Sequence, residues 1–219
     1  LAQQVDGVIF MGHQLSDKVR KEIDLTDTPV VLAGTLDERN ELPNIVIDYQ
    51  GATRDATELL AKNGHQKIAL IGLDMDSEKQ RASSRGYKEA MEGANLGFED
   101  SLIIRLSPEV NNLNVDELVS QLKSSGVTAA SVEDARIAIL LLNGLINQGI
   151  NVPEDFEIVT SNNSPIVNLS RPKLTTINQP LYDLGAVAMR LLTKLMNKEE
   201  TDESHIVPPY PIAENGTTK

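Results

Sequence analysis

Short runs of apolar, largely β-branched residues recur along the chain, and segments with helical periodicity separate most of them. In runs such as VDGVIFMG, QKIALIGL and FEIVTS, the strand-like residues are mostly apolar throughout rather than alternating with polar ones. This pattern is typical of parallel strands that helices cover on both faces. The sequence therefore predicts an α/β fold with doubly wound parallel sheets.

The same pattern predicts where the individual elements lie. Strands are expected at 5–12, 28–35, 44–49, 66–73, 101–107, 127–132, 156–161 and 174–180. Helices are expected at 15–24, 50–63, 78–94, 114–125, 133–149 and 180–198. A glycine follows Asn63 and another follows Gln148, and both supply helix-stopping chemistry, whereas Pro180 suits the first turn of the last helix.

Composition and charge exclude several classes of function. The 219 residues are 40% hydrophobic, enough for a sizeable core, and carry a formal charge of −12. Such a charge argues against binding of nucleic acid or of an acidic membrane by this stretch itself, because no basic run offsets the repulsion from phosphates. No apolar run approaches the ~18 residues of a membrane span. Since the chain has no cysteine, it can form neither disulfides nor thiolate metal sites, which fits a reducing compartment.

Catalytic and cofactor motifs are scarce. The chain has no Walker loop and no G-x-G-x-x-G, G-x-S-x-G or H-E-x-x-H sequence. His13, His65 and His205 share no repeated ligand spacing, and Asp74 with Asp76 alone specify no reaction. We therefore expect no enzyme, no metal site and no cofactor.

Several stretches together resemble the core of LacI/GalR-type transcription regulators. They include residues 45–72, RGYKEAMEGANLGF (85–98), INVPEDFEIV (150–159) and RPKLTTINQPLYDLGAVAMRLLTKLMNKE (171–199), and the similarity runs through nearly the whole chain. The resemblance implies two α/β subdomains similar to type I periplasmic sugar-binding proteins. It also implies an N-terminal helix-turn-helix DNA-binding domain and a hinge that are absent from this chain.

The boundaries of the two subdomains follow from the same resemblance. The family's chain crosses between its subdomains three times, and IVIDYQG, TTINQP and the region near HIVPPYP suit those crossings. The implied N-terminal subdomain is 1–47 with 180–203, and it lacks its first strand–helix–strand. The implied C-terminal subdomain is 48–179 with 204–219.

The last quoted stretch resembles the branch of the family that controls carbon-catabolite genes and has serine-phosphorylated HPr, a phosphocarrier protein, as its corepressor. This resemblance implies a cytoplasmic homodimer that contacts operator DNA only through the absent N-terminal domain. Docked HPr would bias the relative position of the subdomains and so set the spacing of the DNA-binding heads. The alternatives are a periplasmic-type sugar- or solute-binding protein of similar fold and a doubly wound enzyme acting on a phosphosugar or nucleotide.

The helix at 180–198 carries the expected corepressor surface. At 100° per residue, one stripe must face the core, and it consists of Leu184, Ala188, Leu191, Leu192 and Leu195. Asp183, Arg190 and Lys194 then point outward, where the two cations suit a phosphoryl group. An ordinary solvated face is the alternative from spacing alone. The resemblance implies HPr contacts at Tyr182, Asp183, Ala186, Met189, Arg190 and Lys194, and Val187 flanks them.

An effector cleft lined by strand ends and loops is also implied, but this chain departs from the family pattern there. Ser83 occupies the position of an arginine that often holds the ligand, with Arg81 nearby, and Asn162 and Asn163 stand where the family commonly has Asp-[ND]. Asp134 matches a family aspartate, or else it is a carboxylate at a helix N-terminus. We expect free monosaccharides to bind no tighter than about 1 mM, while a sugar phosphate stays open as a ligand.

Overall fold

The structure of the protein is a computed structural model. It describes residues 5–11, 15–35, 37, 39, 41–75, 77–109, 113–161, 164–199 and 205–219. The strands and helices form two compact units. Unit 1 comprises Leu1–Asp48 and Pro180–Pro209, and unit 2 comprises Tyr49–Gln179 and Tyr210–Lys219. The chain therefore passes between the units at three places.

Unit 1 is built on a parallel sheet. Its described strands lie in the order β1-β2-β3-β9 and are β1 (Val8–Met11), β2 (Val30–Ala33), β3 (Asn44–Ile45) and β9 (His205–Ile206). Its described helices are α1 (Asp17–Asp24) and α6 (Leu181–Met196). All residues of β2 are buried, because the strand lies between β1 and β3 in the sheet and α6 packs on it.

Strand β9 differs from the sequence expectation, which placed everything from 204 onward in the second subdomain. His205 pairs with Asn44 and Ile206 with Ile45 in parallel register, and the Val46 N–H donates to the Ile206 carbonyl oxygen at 2.9 Å. These backbone hydrogen bonds attach β9 to the sheet of unit 1. The last crossing consequently lies after Pro209 rather than before position 204.

Unit 2 contains a larger sheet with the strand order β10-β8-β7-β6-β4-β5. The parallel strands are β4 (Ile68–Leu73), β5 (Ile103–Leu106), β6 (Ala129–Val132), β7 (Glu157–Thr160) and β8 (Thr175–Ile177), and β10 (Ile212–Ala213) pairs antiparallel with β8. The described α-helices are α2 (Tyr49–Lys62), α3 (Glu78–Gly93), α4 (Val115–Ser124) and α5 (Ala135–Asn147). The order β5-β4-β6-β7-β8 is a doubly wound topology, in which the winding direction reverses between β4 and β6.

Capping side chains account for the starts of helices α1, α3, α4 and α5. Ser16, Ser77, Asn114 and Asp134 each accept a hydrogen bond from a backbone N–H of the first turn of the helix that follows, as N-cap residues do. In β4, Ile68, Leu70 and Ile71 are fully buried, as expected for a strand covered on both faces. The predicted α/β class with parallel sheets is confirmed.

Candidate protein-docking site

Helix α6 packs on the sheet of unit 1 with one face. The buried residues of the helix are Leu184, Ala188, Leu191 and Leu192, none more than 5% exposed, and the helix packs against β1, β2 and β3. Leu195, which the sequence pattern places in the same stripe, is only half-buried. Because these residues are buried against the sheet, they fix the rotation of α6 about its axis, and the side chains on the opposite face point away from the sheet.

The outward face of α6 exposes large apolar side chains, among them Tyr182 and Met189. Tyr182 is 85% exposed and Met189 is 54% exposed. Both present apolar area that the rest of unit 1 leaves uncovered, and both belong to residue types that are enriched in protein–protein interfaces. Ala186 is exposed beside them, and Val187 is half-buried.

Three charged residues lie along the same face. Asp183 and Arg190 are exposed, and Lys194 is half-buried. Asp183 lies in the first turn and Lys194 in the last, so each has the sign that the helix dipole favours at its end. Arg190 and Lys194 are separated by a rise of about 6 Å along the axis, because each residue advances the helix by ~1.5 Å. The seven residues that the sequence predicts for HPr contact thus lie on one helix, and together they offer apolar area, an anion and two cations.

Three of the residues predicted for the effector cleft, Arg81, Ser83 and Asp134, are described and belong to unit 2. The other two, Asn162 and Asn163, lie outside the described residues. Ser83 is only 2% exposed and sits on α3. Arg81 is exposed on the same helix, and its Nε donates to the Glu78 carboxylate at 3.0 Å. Arg85 donates to the same carboxylate at 2.6 Å. Hydrogen bonds from Arg85 and Arg81 hold the pKa of Glu78 below its ordinary value despite partial burial, so Arg81 already has an anionic partner.

Asp134 caps helix α5. Its Oδ1 accepts the N–H of Arg136 at 2.8 Å, and Arg136 Nη2 donates to Oδ2 at 2.9 Å. Partial burial raises the pKa of Asp134, but the hydrogen bonds from the Arg136 side chain and backbone outweigh this, and the net pKa is lowered. Asp134 therefore has the structural role that a helix N-terminus gives to a carboxylate. A role toward a ligand stays a prediction.

Sequence reasoning missed two charged residues near Ser83. Arg105 in β5 donates from Nη1 to Glu133 Oε2 at 2.9 Å, and Glu133 directly follows β6. The Ser83 hydroxyl also bonds the Glu133 carboxylate. Burial raises the pKa of Glu133, although Arg105 opposes that effect. An arginine within the apolar run IIRL was the available signal in the sequence.

A metal-binding cluster and a membrane-spanning helix are both absent from the described residues. Among them there is no group of three histidine, cysteine, aspartate or glutamate residues placed to hold a metal ion. No helix in that part of the chain is both long and apolar enough to cross a membrane.

Comparison with known proteins identifies the family. The family model described as a periplasmic binding protein-like domain matches residues 57–218. Catabolite control protein A of Streptococcus mutans serotype c is 48% identical over 219 residues, which are 100% of this chain and 65% of that protein. Among solved structures, the transcription regulator CcpA of Lactococcus lactis has a TM-score of 0.84 at 40% identity, covering 98% of this chain and 79% of that chain. The HTH-type transcriptional regulator pepR1 of Lactobacillus delbrueckii subsp. lactis is 40% identical over 100% of this chain and 65% of its own length.

These relatives are transcription regulators and not enzymes. The chain spans about 65% of the length of the curated relatives it matches. Family match, sequence identity and structural similarity all lead to one assignment. The chain belongs to the periplasmic binding protein-like domain family, in the form found in LacI-type transcription regulators related to catabolite control protein A.

Proposed function

We propose that this chain is the regulatory core of a cytoplasmic, dimeric regulator of carbon-catabolite genes, and that serine-phosphorylated HPr is its corepressor. The protein would bind operator DNA through a helix-turn-helix domain outside residues 1–219. The observation that carries this proposal is the outward face of α6, where the exposed Tyr182 and Met189 lie beside Arg190 and Lys194. The similarity to catabolite control proteins supports it.

The side chains of this face have separate tasks in the proposed complex. Arg190 would bind the phosphoserine with its forked donors, and Lys194 would add a compact positive charge. Tyr182 and Met189 would bury apolar area against the carrier protein, where full burial of a methionine side chain contributes about 1.5–3 kcal/mol. Asp183 would meet a basic group of HPr rather than the phosphate.

Docking would act on DNA through the dimer. A corepressor that binds the DNA-competent state more tightly shifts the population toward that state by its difference in affinity for the two states. HPr bound on α6 would in this way set the spacing of the two DNA-binding heads, and operator affinity would rise with the concentration of phosphorylated HPr.

Operator retention by the full-length protein tests the proposal. Phosphorylated HPr should increase retention of an operator fragment by the unaltered protein and should fail to do so for Met189→Asp, which places a charge in the apolar part of the face. Lys18→Glu is the matched control, because Lys18 is an exposed residue of α1 in the same unit. Corepression that survives Met189→Asp, or that is lost equally in Lys18→Glu, would contradict docking on α6.

The sequence left a solute-binding protein of the same fold as the alternative. The regulator names of the relatives favour the regulatory reading. Micromolar affinity for a free sugar together with no response of operator binding to HPr would favour the alternative.

A further inference from the structure

A buried ion pair lies at the carboxyl ends of the strands in unit 2, whereas the proposed docking surface on α6 belongs to unit 1. Arg105 Nη1 and Glu133 Oε2 are 2.9 Å apart, and their side chains are 15% and 7% exposed. Glu133 follows β6 and Arg105 lies in β5, so the pair spans the strand between them, β4. Open α/β sheets bind their ligands beyond the carboxyl ends of the strands where the winding reverses, which here is between β4 and β6.

Gly72 of β4 makes room for this pair. It is the register partner of Arg105, and a methyl group at Gly72 would overlap both Glu133 Oε2 and Arg105 Nη1. The guanidinium and the carboxylate therefore lie directly over the strand, in space that a side chain of β4 would otherwise fill. The carboxyl end of β4 is thus occupied by groups of the chain itself.

The partners of the pair belong to unit 2 as well. Arg105 Nη2 donates to Ser84 Oγ at 2.7 Å and to the Gln80 carbonyl oxygen at 3.4 Å, both on α3. Ser83, one residue earlier on α3, bonds the Glu133 carboxylate. The second carboxylate oxygen, Glu133 Oε1, is buried without a hydrogen-bond partner in the described structure. Most of the hydrogen-bonding capacity that an effector would use here is already taken, and the charges cancel.

We propose that the ion pair of Arg105 and Glu133 fills the space beyond the carboxyl ends of β4 and β6 in which a ligand would otherwise bind. The pair thus acts as an occupant of the ligand site that belongs to the chain itself. The guanidinium of the chain takes the place of a polar ligand, and Glu133 neutralises the cation that an anionic sugar derivative would need. Both residues thereby determine specificity: they exclude sugars and sugar phosphates from this end of unit 2. The inference is independent of the corepressor, because α6 belongs to unit 1.

Calorimetry with glucose 6-phosphate on the full-length protein tests the specificity role of Glu133. The unaltered protein should bind this probe no tighter than about 1 mM. Glu133→Gln keeps the shape of the side chain but removes the neutralising charge, so it should bind glucose 6-phosphate about tenfold more tightly or better than the unaltered protein. Binding that is unchanged or weaker in Glu133→Gln would overturn the proposal, as would micromolar affinity in the unaltered protein.

Chemical rescue tests the occupant role of Arg105. Arg105→Ala vacates the guanidinium position next to Glu133, so methylguanidinium at about 10 mM should raise the Tm of this variant, because a ligand that binds only the folded state stabilises it. Methylammonium at the same concentration should not. The unaltered protein and the variant Arg105→Ala/Glu133→Ala should show no such rise. Equal effects of methylguanidinium on all three proteins would contradict the occupant role, and if Arg105→Ala does not fold, the glucose 6-phosphate measurement decides.

Discussion

Gly86→Ala should destabilise unit 2, although alanine is the better helix former. A Cβ at Gly86 of α3 would overlap the carbonyl oxygen of Gln50 and lie 2.9 Å from its carbonyl carbon and 3.0 Å from Arg54 N. These are backbone atoms of α2, so no side-chain rotation relieves the overlap. Overpacking costs about 1–3 kcal/mol, and the upper end applies when backbone must shift. Alanine returns about 1 kcal/mol of helix propensity, which leaves a net loss of about 2 kcal/mol.

Thermal and urea unfolding of the variant measures this loss. For a protein of this size, a loss of 2 kcal/mol lowers Tm by about 4–8 °C. Gly93→Ala is the matched control, because Gly93 lies in the same helix and a Cβ there would meet no atom within 4 Å. The control should keep or slightly raise Tm. A Gly86→Ala protein at least as stable as Gly93→Ala would refute the argument that α2 and α3 require a glycine where they cross.

Three further predictions concern stability and DNA. Leu191→Ala should lower the free energy of unfolding by about 2–5 kcal/mol through a cavity under α6, since Leu191 is fully buried; an unchanged urea midpoint would contradict this. Burial raises the pKa of Asp37, but hydrogen bonds from the backbone of Leu42 and Glu41 and from the Arg20 side chain outweigh it and lower the pKa. Asp37 therefore contributes its full stabilisation above its unfolded pKa of about 3.9, and this contribution is lost as the pH falls from there through the lower pKa of the folded protein; pH-dependent unfolding should be flatter for Asp37→Asn. Residues 1–219 alone should not retard an operator fragment, because their formal charge is −12.

The parallel α/β class was predictable because its signal is local. A strand covered on both faces must be apolar on both sides, and the run at 66–73 contains the observed β4, Ile68–Leu73. Element ends were less predictable. The expected strand 44–49 is shortened to Asn44–Ile45, and α2 already begins at Tyr49.

Two strands near the end of the described chain could not be predicted from the sequence. His205–Ile206 and Ile212–Ala213 have two residues each, too few to show a period, and both are strands only because a partner strand lies beside them. Pairing over such distances along the chain is a tertiary effect that propensity does not contain.

The outward face of α6 and the Arg105–Glu133 pair also differ in how far the sequence predicts them. The orientation of α6 follows from the helical period of one segment, so the buried and exposed faces were predicted together, with Leu195 as the residue less buried than expected. The pair of Arg105 and Glu133 joins residues 28 positions apart, and only the strand order brings them together. From the sequence, an arginine within the apolar run of β5 indicates an unusual strand, but it does not indicate that Glu133 is the partner of that arginine.

The most direct test of the corepressor surface is the affinity of Arg190→Glu in the full-length protein for HPr with and without its phosphate. Loss of a charge-assisted contact and added repulsion should cost about 2–5 kcal/mol for phosphorylated HPr, and much less for the unphosphorylated carrier. Lys194→Ala should show a smaller loss with the same preference, whereas Asp183→Ala should weaken both forms alike. An Arg190→Glu protein that binds phosphorylated HPr as tightly as the unaltered protein would contradict the account.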